Sequence, residues 1–386
     1  MDNLKALKKS VFFISFPLSI IGFLFPVYAY SKGASTMEIG LIYSIFALFT
    51  ILMRPLVGTL IDKRGRKLGI ILGAFFYSLS IFLYLLDRNF KYLLIARIVQ
   101  SIGASFYWIS IDTIVSDISS EKNRAEKFGI LQEAINKGGL LGTTIGFTIL
   151  LNDIKNSFEI LFSFYFITSL ISLYYTITKL DETIDLSKTY EDETIKNTKE
   201  FNLFLIFMGI FSLISSLTAH IYLIYLRENI TSEFHLISYL FLPGAILSMF
   251  LPNKFGKLSD RYNKKKILFT GIFITGILYL FIPLIKNYYY FMLMETLLTI
   301  NSMFYGFAQS ALVIDIVGEN KRGRAYGKYS LAMGIGGIIG PLVGTTIYEY
   351  IGNATVFYIK GLMLIVFCVL IPVFLVSRSV FGDVRN

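Results

Sequence analysis

Twelve stretches of about 20 or more mainly apolar residues run through this 386-residue sequence, and they limit its possible folds more than any other feature. Six precede a charged middle segment, at roughly 10–31, 38–61, 67–87, 91–115, 126–150 and 157–178. Six follow it, at roughly 201–226, 233–255, 266–286, 288–314, 326–349 and 354–377. Each is long enough to cross a bilayer as a helix, and in hydrocarbon a helix satisfies every backbone N–H and C=O within the segment. Composition agrees: 55% of residues are hydrophobic and only 16% charged, whereas soluble domains carry about 25% charged residues. A soluble enzyme and a disordered chain are both excluded. The expectation is an all-α integral membrane protein with twelve transmembrane helices in two six-helix bundles, residues 1–178 and 201–386. Between them, 179–200 carries Asp181, Glu182, Asp185, Lys188, Glu191, Asp192, Glu193 and Lys196, and reads as a polar linker.

Lys and Arg set the orientation. With the N-terminus inside, inner segments hold Lys5, Lys8 and Lys9, the Lys63–Lys67 and Lys122–Lys127 clusters, the linker lysines, the Lys254–Lys266 cluster and Lys321–Lys328. The outer loops hold only Lys32, Arg88, Lys91, Lys155, Arg227 and Lys286. Both termini are therefore expected in the cytoplasm and the protein in the plasma membrane. The first run exceeds the length of a signal-peptide core and no A-x-A site follows it, so it reads as a retained helix. The net charge of +10 lies in short loops between apolar runs, which argues against a nucleic-acid partner. One cysteine, Cys368, excludes an intramolecular disulfide and a CxxC site.

The two halves repeat at one offset. Gly58, Leu60 and Asp62 after the second run recur as Gly256, Leu258 and Asp260 after the eighth, 198 residues on. Asp117, Arg124 and Gly129 recur as Asp315, Arg322 and Gly327, and Gly142 and Gly146 as Gly340 and Gly344, at the same offset. Parallel halves of this kind characterise transporters whose repeats are related by an axis along the membrane normal.

The loop Gly58-Thr59-Leu60-Ile61-Asp62-Lys63-Arg64-Gly65-Arg66-Lys67 resembles the signature G-x-L-x-D-R-x-G-R-R of the major facilitator superfamily. The second copy, Gly256 to Lys266, and Arg97-Ile98-Val99-Gln100-Ser101-Ile102-Gly103, which resembles the family element R-x-x-Q-G-x-G, extend the likeness over the chain. The resemblance implies that Gly58, Asp62, Gly65, Arg66, Asp117, Arg124, Gly256, Asp260, Asp315 and Arg322 form a cytoplasmic gate that is closed in one conformation and released in the other. The small residues permit close helix approach, and a carboxylate is favoured at a helix N-terminus.

Ionisable groups inside the runs are costly and invite functional readings. Glu133 and Lys137 stand four residues apart in the fifth run beside Gln132 and Asn136. Glu133 could exchange a proton with Lys137 as counter-charge, or the two could be a self-neutralising packing pair. Arg97 and Glu295 occupy repeat-equivalent places in the fourth and tenth runs; they could pair with each other, or Arg97 could bind groups in its own half. Asp112 is a gate residue or an interfacial acid. Asn301, Tyr305 and Gln309 share one helical face and could line a substrate path. Arg54 and Lys360 read as snorkelling cations, and His220 as a packing residue.

Drug:proton antiporters of the resembled family carry G-P-x-x-G-G in the fifth run. Here Gly142-Thr143-Thr144-Ile145-Gly146 lacks the proline, while the eleventh run reads Gly340-Pro341-Leu342-Val343-Gly344, so these residues are read as a helix-packing motif. There is no GxxxxGK[ST] motif, HExxH or nucleophile elbow, which leaves a secondary transporter without cofactor or metal rather than an enzyme. The leading expectation is proton-coupled efflux of a small organic molecule, with substrate, protons and membrane lipid as partners and a monomeric state. Uptake of a sugar or organic anion by proton symport is the alternative, and a non-transporting sensor or lipid-handling scaffold the alternative of another class.

Overall fold

The structure, a computed structural model, describes residues 3–32, 36–86, 90–151, 156–184, 198–219, 221–317 and 322–376. Among them the secondary structure is helical, with no strand. The first six runs form α1 (Asn3–Ser31), α2 (Thr36–Arg64), α3 (Arg66–Leu85), α4 (Phe90–Asp117), α5 (Arg124–Leu151) and α6 (Ser157–Thr178). The ninth to twelfth form α11 (Lys264–Phe281, extended by a 3₁₀ turn Ile282–Leu284), α12 (Tyr288–Val317), α13 (Arg322–Tyr350) and α14 (Thr355–Val376). α1 starts seven residues before the apolar run, because its first turns carry Lys5, Lys8 and Lys9 without any helix breaker.

The seventh and eighth runs differ from single spans. The seventh is broken into α7 (Thr198–Ser216) and α8 (Tyr222–Asn229), and the eighth into α9 (Phe234–Leu247) and α10 (Pro252–Arg261). Pro252 explains the second break: it has no N–H to give, and its ring clashes with the preceding turn. Before it the chain tightens to three-residue bonds, Met249 N–H to Ile246 C=O and Phe250 N–H to Leu247 C=O, each 3.1 Å. At the first break Ala219 N–H likewise turns to Ser216 C=O at 3.0 Å. Six of the described helical segments are long and apolar enough to span a bilayer: Ile42–Arg64, Arg66–Leu85, Lys91–Asp117, Ser157–Thr178, Lys264–Leu284 and Arg322–Tyr350.

The chain forms two compact units. One comprises Met1–Ser120, Lys127–Glu193 and Glu319–Leu331; the other comprises Glu121–Glu126, Thr194–Gly318 and Ala332–Asn386. Thus the first turns of α5 and α13 each cluster away from the rest of their helix. In the first unit, α3 packs on α4 and α6, α2 on α4, and α1 on α6. Its core is aromatic: Phe25, Tyr28, Tyr84, Phe162 and Tyr165 are almost fully buried, and the Tyr28 and Phe162 rings meet edge to face 4.8 Å apart. In the second unit, α11 packs on α12 and α14, and α12 on α9. Large side chains such as Leu56, Ile167, Ile206 and Leu342 are left outward, as expected where the solvent is lipid.

Candidate functional site

The signature loop organises the first unit. The first N–H groups of a helix have no intrahelical partner, and those at the start of α13 are met by Asp62 at the end of α2. Gly323 N–H donates to Oδ1 of Asp62 at 3.0 Å and Arg324 N–H to Oδ2 at 2.8 Å. A charge at this place also opposes the positive end of the helix dipole. Arg66 holds the carboxylate from the other side, its guanidinium 2.9 Å from Oδ1, with side-chain exposures of 3% and 8%. The same guanidinium donates to the Ile61 carbonyl at 2.8 Å and to Asp117 Oδ2 at 3.2 Å. Arg322 reaches Asp117 Oδ1 at 3.0 Å, and the hydroxyls of Ser116 and Tyr326 meet at 2.8 Å. Gly58 is required by the approach itself: a Cβ there would lie 2.9 Å from the Gly323 carbonyl carbon and 3.1 Å from Arg324 Cα.

A second such arrangement stands in the other unit. Asp260 at the end of α10 accepts from Ala125 N–H at 3.1 Å and Glu126 N–H at 2.8 Å, the opening amides of α5. Lys264 replaces the arginine, 3.8 Å from Asp260 Oδ1 and 3.0 Å from Asp315 Oδ2. Arg124 is hydrogen-bonded to Asp315, and Gly256 sits where a Cβ would be 2.7 Å from Glu126 Cα. Burial pushes the Asp260 carboxyl above the usual aspartate range, outweighing the two amides and the Lys264 cation that pull it down. Nine of the ten residues of the expected gate motif stand in these two clusters; the tenth, Gly65, lies just before the first turn of α3, where a Cβ would meet the Glu182 carboxylate.

Two participants, Glu182 and Thr183, had no role assigned from the sequence, and a third, Arg54, was read differently. Glu182, in the linker, accepts from Arg66 N–H at 2.9 Å and Lys67 N–H at 3.0 Å, capping α3. Thr183 donates to Asp117 Oδ2 at 2.8 Å. Arg54 donates to the Ser330 carbonyl at 2.7 Å instead of snorkelling, a correction that follows from the close approach of Gly327 to the Arg54 backbone. The linker's charge pattern hid Glu182 among eleven Asp, Glu and Lys residues.

The helix-packing glycines follow the repeat. Gly142 on α5 lies against the Phe16 backbone of α1, and Gly340 and Gly344 on α13 lie against Leu213 and Leu217 at the end of α7. Gly138 and Gly336 extend the same rows against Phe12 and Gly209, while Gly146 and Pro341 lie within α5 and α13.

The charges expected inside the spans have local partners. Glu133 and Lys137 stand 3.7 Å apart on α5, and Gln132 donates to Asn136 at 2.8 Å. Arg97 donates to Gln100 at 2.5 Å and lies over the rings of Phe25, Tyr43 and Phe46, 4.1, 4.9 and 5.0 Å from their centroids. Glu295 accepts from the Tyr222 hydroxyl. Asp112 lies within electrostatic reach of Arg54. Asn301 is turned into α11, its amide donating to Gly271 C=O and to Thr275 Oγ1 at 2.8 Å each. Tyr305 packs edge-on against Phe211, and Gln309 lies 3.9 Å from the Met333 sulfur. Lys360 does not snorkel: it is 3% exposed and donates to the Ser215 carbonyl at 2.6 Å, because the α7 break leaves that carbonyl open. His220 lies outside the described residues.

The Major Facilitator Superfamily profile matches residues 10–314 and 255–384. The chain belongs to the major facilitator superfamily. It is a transporter of that family, a multi-pass membrane protein and not an enzyme. An MFS-type transporter of Methanocaldococcus jannaschii, MJ1560, is 26% identical over 362 residues, covering 90% of this chain and 92% of the relative. The quinolone resistance protein NorA of Staphylococcus aureus is 31% identical over 137 residues, only 36% of this chain and 35% of NorA. The fold is shared with the human organic anion transporter MFSD10, with a TM-score of 0.77 at 15% identity over 95% of this chain and 98% of that one.

Proposed function

We propose that this transporter exports a small organic molecule across the plasma membrane in exchange for protons, as a monomer working by alternating access. Residues 1–178 and 201–386 act as the two halves, with 179–200 and both termini on the cytoplasmic side. The observation that carries proton coupling is Glu295, a carboxylate only 8% exposed on the apolar helix α12, hydrogen-bonded to a tyrosine and with no basic residue on its own helix. Such a group is costly to keep ionised in lipid and is suited to bind and release a proton. Glu133 is the second candidate, with Lys137 and Asn136 beside it, and Arg97 supports the aromatic cluster of its own unit. Asp112, Asn301, Tyr305 and Gln309 are left as helix-contact groups next to the translocation path.

The caps at Asp62 and Asp260 support the alternating-access reading. Each places a carboxylate on the first turn of a helix whose remainder belongs to the other compact unit, so releasing the cap frees that helix start. Export rather than uptake is favoured by the likeness to NorA over 137 residues. The test is proton flux in liposomes loaded with a pH dye, with ethidium or an organic anion as substrate, for wild type, Glu295→Gln and Glu133→Gln. Ethidium-dependent proton movement lost in Glu295→Gln supports the proposal. Flux only with anions, in the same direction as the proton, replaces export by symport; no flux with any solute favours a scaffold.

A further inference from the structure

The α7 break creates an unusual demand. In an unbroken helix the Ser215 carbonyl would accept from Ala219 N–H, but that N–H is given to Ser216 C=O, and the helix restarts only at Tyr222. An open carbonyl in a buried apolar segment carries a full desolvation penalty unless another donor meets it. Lys360 on α14 is that donor, at 2.6 Å, and its ammonium also reaches Thr218 Oγ1 at 2.8 Å. It lies 3.9 Å above the Tyr279 ring of α11. On the other side of the break, the first residue of α8, Tyr222, donates its hydroxyl to Glu295 on α12. Glu295 and Lys360 lie within electrostatic reach of one another, and among the described residues the further titratable groups that reach Glu295 are Tyr222 and Tyr279.

One end of the break is therefore held by the Lys360 ammonium and the other by the Glu295 carboxylate. We propose that Lys360 is a positioning residue: it clamps the end of α7 and serves as counter-ion to Glu295, so that a proton arriving at Glu295 loosens Tyr222 and the α7–α8 break together. This rests on Glu295 being the coupling carboxylate. A carboxylate is a stronger acceptor for a phenol than a carboxylic acid is, so protonation weakens the Tyr222 bond. It also leaves the buried Lys360 cation unbalanced, held only by a carbonyl, a hydroxyl and a ring.

Amide hydrogen exchange of the full chain in detergent reads this directly, as protection of the 217–223 segment against pH after correction for intrinsic rates. Protection in the wild type should fall about tenfold or more through an acidic step, the order expected for losing one charge-assisted hydrogen bond. Glu295→Gln should abolish the step. Lys360→Gln keeps a donor for the Ser215 carbonyl but removes the charge; it should shift the step to higher pH, because a lost cation favours the protonated acid. Lys360→Arg should restore the wild-type profile. If Lys360 served only as a carbonyl cap, Gln would match wild type, and that result overturns the proposal. A step that persists in Glu295→Gln overturns it as well. Loss of proton-coupled flux in Glu295→Gln with an unchanged exchange profile removes the clamp alone, whereas flux that survives Glu295→Gln while the step vanishes removes the coupling assignment and supports the clamp.

Discussion

Asp62→Ala should open the first turn of α13 without unfolding the first unit. Two amide donors, Gly323 N–H at 3.0 Å and Arg324 N–H at 2.8 Å, lose a charged acceptor. A hydrogen bond to a charged group contributes about 1.5–3 kcal/mol, and the two share one carboxylate, so about 3–4 kcal/mol is expected for the cap as a whole. Arg66 does not become an orphan charge, because it keeps Asp117 at 3.2 Å and the Ile61 carbonyl at 2.8 Å, so the larger cost of a stranded buried ion is avoided. With tenfold per 1.36 kcal/mol, exchange at Gly323 and Arg324 should accelerate by about 10²–10³-fold. Asp62→Asn keeps one acceptor and loses the charge; about 1–2 kcal/mol, or a factor of about 5–30, is expected. Hydrogen exchange with fragment-level resolution over 322–326 provides the assay, with the α3–α4 core as internal reference. If both variants leave 322–326 as protected as wild type while the core is intact, the carboxylate does not hold the helix and the gate reading fails. Equal loss in Asn and Ala would instead refute the charge–dipole share of the argument.

Arg97→Lys should lower the thermal midpoint, and Arg97→Ala should lower it further, because only a planar guanidinium can lie over Phe25, Tyr43 and Phe46 while donating to Gln100; an equal midpoint for lysine and arginine would refute the stacking account. In Asp260 the carboxyl is pushed above its ordinary range, so the folded chain binds that proton more tightly than the unfolded one. Its contribution is present at low pH and is lost as pH rises from the ordinary aspartate range through the raised value. The stability of wild type minus that of Asp260→Asn, from denaturation midpoints across this range, should therefore fall as pH rises; a rising difference contradicts the assignment.

The parts legible in the sequence are those written in residue type and period. Lengths of apolar run pointed to the helices, the offset shared by Asp62/Asp260, Asp117/Asp315 and Arg124/Arg322 pointed to the repeat, and the resemblance of the Gly58–Lys67 loop to the family signature implied the gate, in which a carboxylate at a helix start has few substitutes. The breaks in the seventh and eighth runs were hidden for opposite reasons. Pro252 was readable as a breaker but lay inside an apolar run, 233–255, that outweighed it, whereas the 217–221 break contains neither proline nor glycine. It depends on Lys360, 142 positions away from Thr218, for its missing hydrogen bond. A lysine near a span end looks like a snorkelling cation until a carbonyl without a partner is placed beside it. Glu182 was illegible likewise: its role is set by the distant amides it meets.

The repeat meets one need in two ways, and the difference is testable. Gly65 and Asn263 are equivalent at the 198-residue offset, each just before the first turn of a helix, α3 or α11. Asn263 sits at φ −65°, ψ 110° and caps its own helix, its Oδ1 accepting from Lys265 N–H at 3.0 Å and Lys266 N–H at 3.2 Å. Gly65 sits at φ 109°, where an L side chain is strained, has no side chain to offer, and relies on Glu182. The first copy therefore borrows its cap from the linker, and the linker carries Thr183 on to Asp117, the carboxylate shared by Arg66 and Arg322. Glu182→Ala should expose the Arg66 and Lys67 amides and raise their exchange by about tenfold, as for an ordinary cap loss of about 1 kcal/mol or slightly more. Glu182→Ala also removes the side chain that would collide with a Cβ at 65, so adding Gly65→Asn lets the loop adopt the geometry seen at Asn263. Protection at Arg66 and Lys67 should then return most of the way to wild type, while the Thr183–Asp117 tie remains weakened. If the double variant is no better protected than Glu182→Ala alone, the two loops are not interchangeable solutions. In that case the left-handed geometry at Gly65 is fixed by its surroundings, not by the missing cap.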